Sequence, residues 1–88
     1  MRKIWSSRSW EEYLEWQNED RKALRRVNAL IKDIESNGAL NGIGKPEQLR
    51  HDLSGWCSRR IDEKNRLVYR VIDNNTLEIA QCKGHYNL

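Results

Sequence analysis

The chain has 88 residues, enough for one domain spanning positions 1–88 with a small core and for no more. With 38% hydrophobic and 33% charged residues it is too apolar for a disordered chain, and no apolar run approaches the ~18 residues of a membrane-spanning helix. The first residues, Met1-Arg2-Lys3-Ile4-Trp5-Ser6, carry no apolar leader segment, so the expected location is the cytoplasm.

Arg2 to Trp5 reads as a short strand, and Ser6 or Ser7 supplies a helix cap. Trp10, Tyr13, Leu14 and Gln17 then fall at helical spacing, with Glu11, Glu12 and Glu15 expected on the other side. Asn18 or Asp20 caps a second helix. Its apolar residues Ala23, Leu24, Val27, Leu30, Ile31 and Ile34 recur in steps of three and four, which makes a broad buried stripe. The opposite face carries Arg21, Lys22, Arg25, Arg26 and Lys32, and Asn37-Gly38 is a stop signal. The two helices form a hairpin, with Trp5, Trp10 and Trp16 expected in the core. Residues 38–48, with three Gly and one Pro, are expected to be loop. No Ser or Thr follows Lys45, so this is not a Walker-type phosphate loop.

From Leu49 the pattern is that of antiparallel strands. Trp56 to Ile61 alternates, Asp62 to Asn65 is a polar turn, and Arg66 to Ile72 is the strongest strand. Asp73 to Asn75 turns the chain again, and Thr76 to Cys82 closes it. The fold class is therefore α+β. An N-terminal strand and a two-helix hairpin pack on a mainly antiparallel sheet in the order β-α-α-β-β-β.

The net charge of +3 is unevenly placed. Residues 45–70 hold Lys45, Arg50, Arg59, Arg60, Lys64, Arg66 and Arg70 against only Glu47, Asp52, Asp62 and Glu63. Arginine forks onto phosphate, so this stretch reads either as a solvated sheet face or as a surface for RNA, DNA or an acidic partner. Cys57 and Cys82 have neither Cys-x-x-Cys nor Cys/His zinc spacing and read as reduced packing thiols, so no metal is expected.

RNA cleavage without a metal needs few parts, because the RNA supplies its own 2′-hydroxyl nucleophile. A group must take that proton, cations must neutralise the phosphorane, and an acid must protonate the leaving 5′-oxygen. Glu47 stands between Lys45 and Arg50, which favour its ionised form. Arg60 precedes the turn that feeds Arg66, so the two can approach. His85 has the side chain best suited to proton transfer near neutral pH, and Tyr86 beside it offers a stacking face. Composition alone leaves a purely binding role open.

Several collinear motifs carry a resemblance along essentially the whole chain. They are Ile4-Trp5-Ser6 with Trp10, Tyr13 and Trp16; Gly44-Lys45-Pro46-Glu47; Leu53-Ser54-Gly55; Ser58-Arg59-Arg60-Ile61; Arg66-Leu67-Val68-Tyr69; and His85-Tyr86. In these the sequence resembles the YoeB/Txe toxins of the RelE/ParE superfamily. The resemblance implies a toxin of a type II toxin–antitoxin system, an endoribonuclease that cuts mRNA in the ribosomal A site, leaves a 2′,3′-cyclic phosphate and needs no cofactor. It assigns Glu47 as general base, Arg66 to the transition state, His85 as general acid and Arg60 to the phosphate, with Lys45, Arg50 and Tyr86 as further RNA contacts. It implies as partners the ribosome and its RNA, reached by the basic face of the second helix, an antitoxin of the YefM/Phd kind, and a second copy in a homodimer. Three positions depart from the pattern. Arg50 replaces a usual Lys, Trp56-Cys57 stands where relatives often carry two aromatics, and Asn87-Leu88 extends past His85-Tyr86. The competing readings are a toxin of the same fold that inhibits gyrase, and a binding module with a dead site.

Overall fold

A computed structural model describes residues 1–85. Strand β1 (Arg2–Trp5) leads into helix α1 (Ser7–Glu19) and helix α2 (Arg21–Asn37). Strand β2 (Glu47–Gln48), a 3-10 turn (His51–Leu53) and strands β3 (Cys57–Arg60), β4 (Arg66–Ile72) and β5 (Thr76–Gln81) follow. The sheet order is β1-β5-β4-β3-β2, with β1 parallel to β5 and every other pair antiparallel. The expected α+β architecture is present as a five-stranded mixed sheet.

Local chemistry sets the helix ends. The Ser6 hydroxyl accepts from Ser9 N at 3.0 Å and starts α1. Asp20 both ends α1 and begins α2, since its N–H donates to Trp16 O while its carboxylate accepts from Lys22 N and Ala23 N. One residue thus makes the hairpin. Gly38, at φ +91°, closes α2 with its N–H on Ile34 O, a conformation that side chains resist.

The core lies between α2 and one sheet face. Val27, Leu30 and Ile34 meet Leu67, Tyr69, Leu77 and Ile79, all with no exposed surface. Burying each such aliphatic side chain contributes roughly 2–3 kcal/mol against leaving it in water. Helix α1 is tied to β5 by polar groups as well. Ser9 Oγ donates to Ile79 O at 2.7 Å, Trp16 Nε1 to Cys82 O at 2.8 Å, and the Glu12 carboxylate accepts from Cys82 N at 2.8 Å.

Three details differ from the sequence reading. Trp10 is 44% exposed and Leu14 38%, whereas Glu12 is buried. The inward row of α1 is Ser9, Glu12 and Trp16, and Trp10 instead joins Trp5 and Tyr13 in a surface aromatic cluster with centroids 4.8–5.8 Å apart. A polar inner row was invisible to a search for apolar spacing. Second, the 38–48 loop ends in a strand, because Glu47 and Gln48 pair with Ser58 and Cys57. That pairing is fixed by distant bonds, Arg60 N to Gly44 O and Leu49 N to Trp56 O, which no local pattern encodes. Third, a register shift at Val68/Tyr69 places Gln81 opposite Val68. The bulge reverses the alternation of β5, so Cys82 joins the core while Gln81 faces the other side of the sheet.

Candidate active site

The face of the sheet away from the helices gathers three of the predicted side chains, Glu47, Arg60 and Arg66. Directly opposed residues of paired strands share a face. Glu47 opposes Ser58, Ser58 opposes Val68, and Arg60 opposes Arg66. Glu47, Ser58, Arg60, Arg66, Val68 and Gln81 therefore form one surface. Its floor is dry, since Ser58, Val68 and Gln81 are buried, while Glu47 and Arg60 stand exposed at its edge.

Arg66 is held at the base of this surface and is only 8% exposed. Its Nη1 donates to the carbonyls of Asp62 (2.7 Å), Asn65 (3.1 Å) and Glu63 (3.3 Å), which are backbone groups of the turn before it. No carboxylate forms a direct ion pair with it among the described residues, although the Asp62 carboxylate of the same turn lies close enough to interact with its charge. Arg70 differs. It pairs with Glu78 across β4 and β5 and stacks over Trp56, 4.3 Å from the ring centroid. The sheet thus pairs Arg70 directly, whereas Arg60 and Arg66 have no direct ion pair among the described residues.

The turn that orders Arg66 also orders the chain that carries His85. The Asp62 carboxylate accepts from Lys64 N (2.8 Å), Asn65 N (2.7 Å) and the Asn65 amide. Desolvation opposes the charged form of Asp62, but these hydrogen bonds outweigh it and hold the carboxyl below its ordinary range. Asn65 Oδ1 then accepts from Gly84 N (2.7 Å), and Arg66 N donates to Gly84 O (2.9 Å). Gln81 Nε2 donates to Gly84 O (3.0 Å) and to His85 O. His85 is exposed at the end of this clamp, one residue beyond the backbone of Arg66's partner. Tyr86 and the Asn87-Leu88 extension lie outside the described residues.

The other described candidates, Lys45 and Arg50, lie to one side, next to Glu47. Glu47 and Arg50 line a groove of about 760 Å³ with Leu40, Pro46, Leu49, His51 and Leu53. Arg50 is exposed there, at the entry to the 3-10 turn. Lys45 is exposed at the loop end, with a φ of +52°. Arg26 of α2 reaches Arg60 O at 3.3 Å, while Arg21, Lys22 and Arg25 are exposed. Sequence reasoning missed Asn65 and Gln81. Asp62 and Asn65 at a three-residue spacing in a polar turn were the available signal for the first. Gln81 had none, since only the bulge turns it toward this face.

Both thiols are buried packing groups. Burial raises Cys57 above its ordinary value and pushes Cys82 up to about 12.

An N-terminal strand and a helix hairpin on a five-stranded mixed sheet are the arrangement of the small RelE/ParE-like toxins. Residues 5–86 match the YoeB-like toxin of bacterial type II toxin–antitoxin systems. The toxin YoeB of Escherichia coli K12 is 50% identical over 86 residues, which is 98% of this chain and the whole of that protein. The heterotetrameric YoeB–YefM complex of Staphylococcus aureus superposes with a TM-score of 0.91 at 46% identity, covering 98% of both chains. The YoeB dimer of the same organism superposes with a TM-score of 0.90 at 46% identity and the same coverage. The chain belongs to the YoeB toxin family. It is the toxin of a type II toxin–antitoxin system and a ribosome-dependent endoribonuclease that cuts mRNA.

Proposed function

We propose that residues 1–88 act as one unit that cuts mRNA in the ribosomal A site by attack of the RNA's own 2′-hydroxyl, with no metal taking part. Glu47 takes the hydroxyl proton. Arg66, with Arg60 opposite it, neutralises the charge that grows on the phosphorane oxygens. His85 protonates the departing 5′-oxygen, and the products are a 2′,3′-cyclic phosphate and a 5′-hydroxyl. The proton removed from the nucleophile is matched by the proton given to the leaving group, so the step balances without another reactant. Lys45 and Arg50 hold flanking phosphates, and Tyr86 stacks on a base.

The pairing of Arg60 with Arg66, one strand away from Glu47, is the observation that carries this reading. Two cations held side by side, neither in a direct ion pair, are stabilised when an anion lies between them. The exposed Arg21, Lys22 and Arg25 supply a second basic surface, suited to ribosomal RNA phosphates. No described helix is long and apolar enough to cross a membrane, and we place the toxin in the cytoplasm, where translating ribosomes are. The S. aureus relatives form a dimer and a complex with YefM, and we extend to this chain a homodimer and an antitoxin of that kind whose acidic segment covers the arginine surface.

Single-turnover cleavage on programmed ribosomes tests the assignment. Glu47→Gln, Arg66→Ala and His85→Ala should each lower the rate by about 10²-fold or more while ribosome binding persists. Full activity in any one of them removes that residue from the mechanism.

A further inference from the structure

The position of Glu47 is set from the far side of the sheet. Arg59 precedes Arg60 and so points to the helix face, where it is fully buried. Its Nη1 donates to Asp33 Oδ2 (2.5 Å) and Ile43 O (3.0 Å). Its Nη2 donates to Gly38 O (2.9 Å), Asn41 O (2.8 Å) and, at 3.5 Å, Ala39 O. Its Nε donates to the Tyr69 hydroxyl (2.9 Å), which donates onward to Ala39 O (2.5 Å). Asp33 Oδ2 also accepts from Ile43 N (2.9 Å). Four carbonyls of one loop therefore converge on a single guanidinium.

That loop is built to fit the network closely. A Cβ at Gly42, where φ is +116°, would fall 1.8 Å from Asp33 Oδ2. One at Gly44 would fall 2.7 Å from Leu30 Cδ2. The loop then delivers Gly44, whose carbonyl accepts from Arg60 N at 2.7 Å, three residues before Glu47. An apolar residue commonly stabilises a core as well as a buried ion pair does. What the guanidinium adds here is a fixed path for a loop that has no hydrogen-bonded ladder of its own.

We propose that Arg59, with Asp33 and Tyr69, is a positioning group for the reaction: it fixes the 38–44 loop from the helix side and so sets where the Glu47 carboxylate stands relative to Arg60 and Arg66. The inference rests on the reading of Glu47 as the general base. None of the three residues touches the RNA. Misplacement of a reacting group by about 1 Å can lower a rate by about 10²-fold, so small loop shifts are enough.

The test uses Gly42→Ala, a change at an exposed residue whose new Cβ would displace the Asp33 carboxylate, and Tyr69→Phe, which removes one hydroxyl. Both are compared with Glu47→Gln on programmed ribosomes, after thermal melting has established which variants are folded at the assay temperature. We expect each folded loop variant to lose about tenfold or more in saturating cleavage rate, with half-saturation by ribosomes within about twofold of the parent. An unchanged rate in a folded variant overturns the proposal. So does a parallel change in rate and half-saturation, which would make the loop a binding surface. If Gly42→Ala melts below the assay temperature, Tyr69→Phe decides alone. A Glu47→Gln protein at parental rate overturns the reading of Glu47 and this inference with it, whereas an inactive Glu47→Gln beside fully active loop variants overturns this inference only.

Discussion

Arg60 and Arg66 stand opposite one another at the turn end of the β3–β4 hairpin, and the roles proposed for them differ because their surroundings do. Arg66 is buried and its Nη1 is fixed by three turn carbonyls, whereas Arg60 is exposed. A fixed cation stabilises a transition state more than a ground state, because it needs no reorganisation when charge develops. Arg66→Ala should therefore lower the saturating rate by about 10²–10³-fold. Arg60→Ala should mainly raise the half-saturating concentration. Single-turnover titrations with both variants separate the two effects.

Gln81 holds the backbone of His85, the proposed general acid. Its amide bonds to Gly84 O and His85 O, and it is fully buried. Gln81→Leu leaves those carbonyls without that donor, at a loss of about 1–3 kcal/mol in stability. Urea melts should show this loss, and single-turnover assays on folded protein should show a lower rate with ribosome binding kept.

The paired Asp33 should contribute to acid stability. The hydrogen bond from Arg59 lowers its pKa first, and Ile43 N adds to the effect. A depressed carboxylate contributes stability above its unfolded value, here 3.8, and loses it as pH falls through the lower folded value. Urea midpoints of the parent should fall as pH drops below about 4, and Asp33→Asn should be less stable near neutrality with a flatter profile over that range. Identical profiles would show that the pair does not contribute.

Neither thiol should react in the native state. Cys82, pushed up to about 12, has almost no thiolate at pH 8, and Cys57 is shifted the same way by burial. A chromogenic disulfide reagent should find no fast-reacting thiol in the folded protein and both after denaturation. A fast native reaction would mean that β3 or β5 opens readily.

Much of this was legible in the sequence because it is written in local pattern. The apolar stripe of α2 from Ala23 to Ile34, the Asp20 cap and the β4 run Arg66–Ile72 follow from periodicity and capping, and the structure has all three. The likeness of short motifs such as Gly44-Lys45-Pro46-Glu47 pointed to the family. What escaped is long-range. Glu47 forms a strand only because Gly44 and Leu49 bond to Arg60 and Trp56. Gln81 faces the site only because β5 bulges. Arg59 looked like one more surface charge in a basic run, yet it is the largest fully buried side chain among the described residues, held by Asp33 and loop carbonyls that lie 16 to 26 residues away in sequence.

The most direct test of the mechanism is cleavage of an mRNA carrying a single 2′-deoxynucleotide on the 5′ side of the A-site bond that the toxin cuts, assayed on programmed ribosomes with the all-ribose message alongside. The account predicts that the all-ribose message is cut in the A site to a 2′,3′-cyclic phosphate and a 5′-hydroxyl, and that the deoxy substitution abolishes the cut there. Cleavage of the deoxy message at the same bond, or a 5′-phosphate product, would contradict attack by the RNA's own hydroxyl and the roles given to Glu47 and His85.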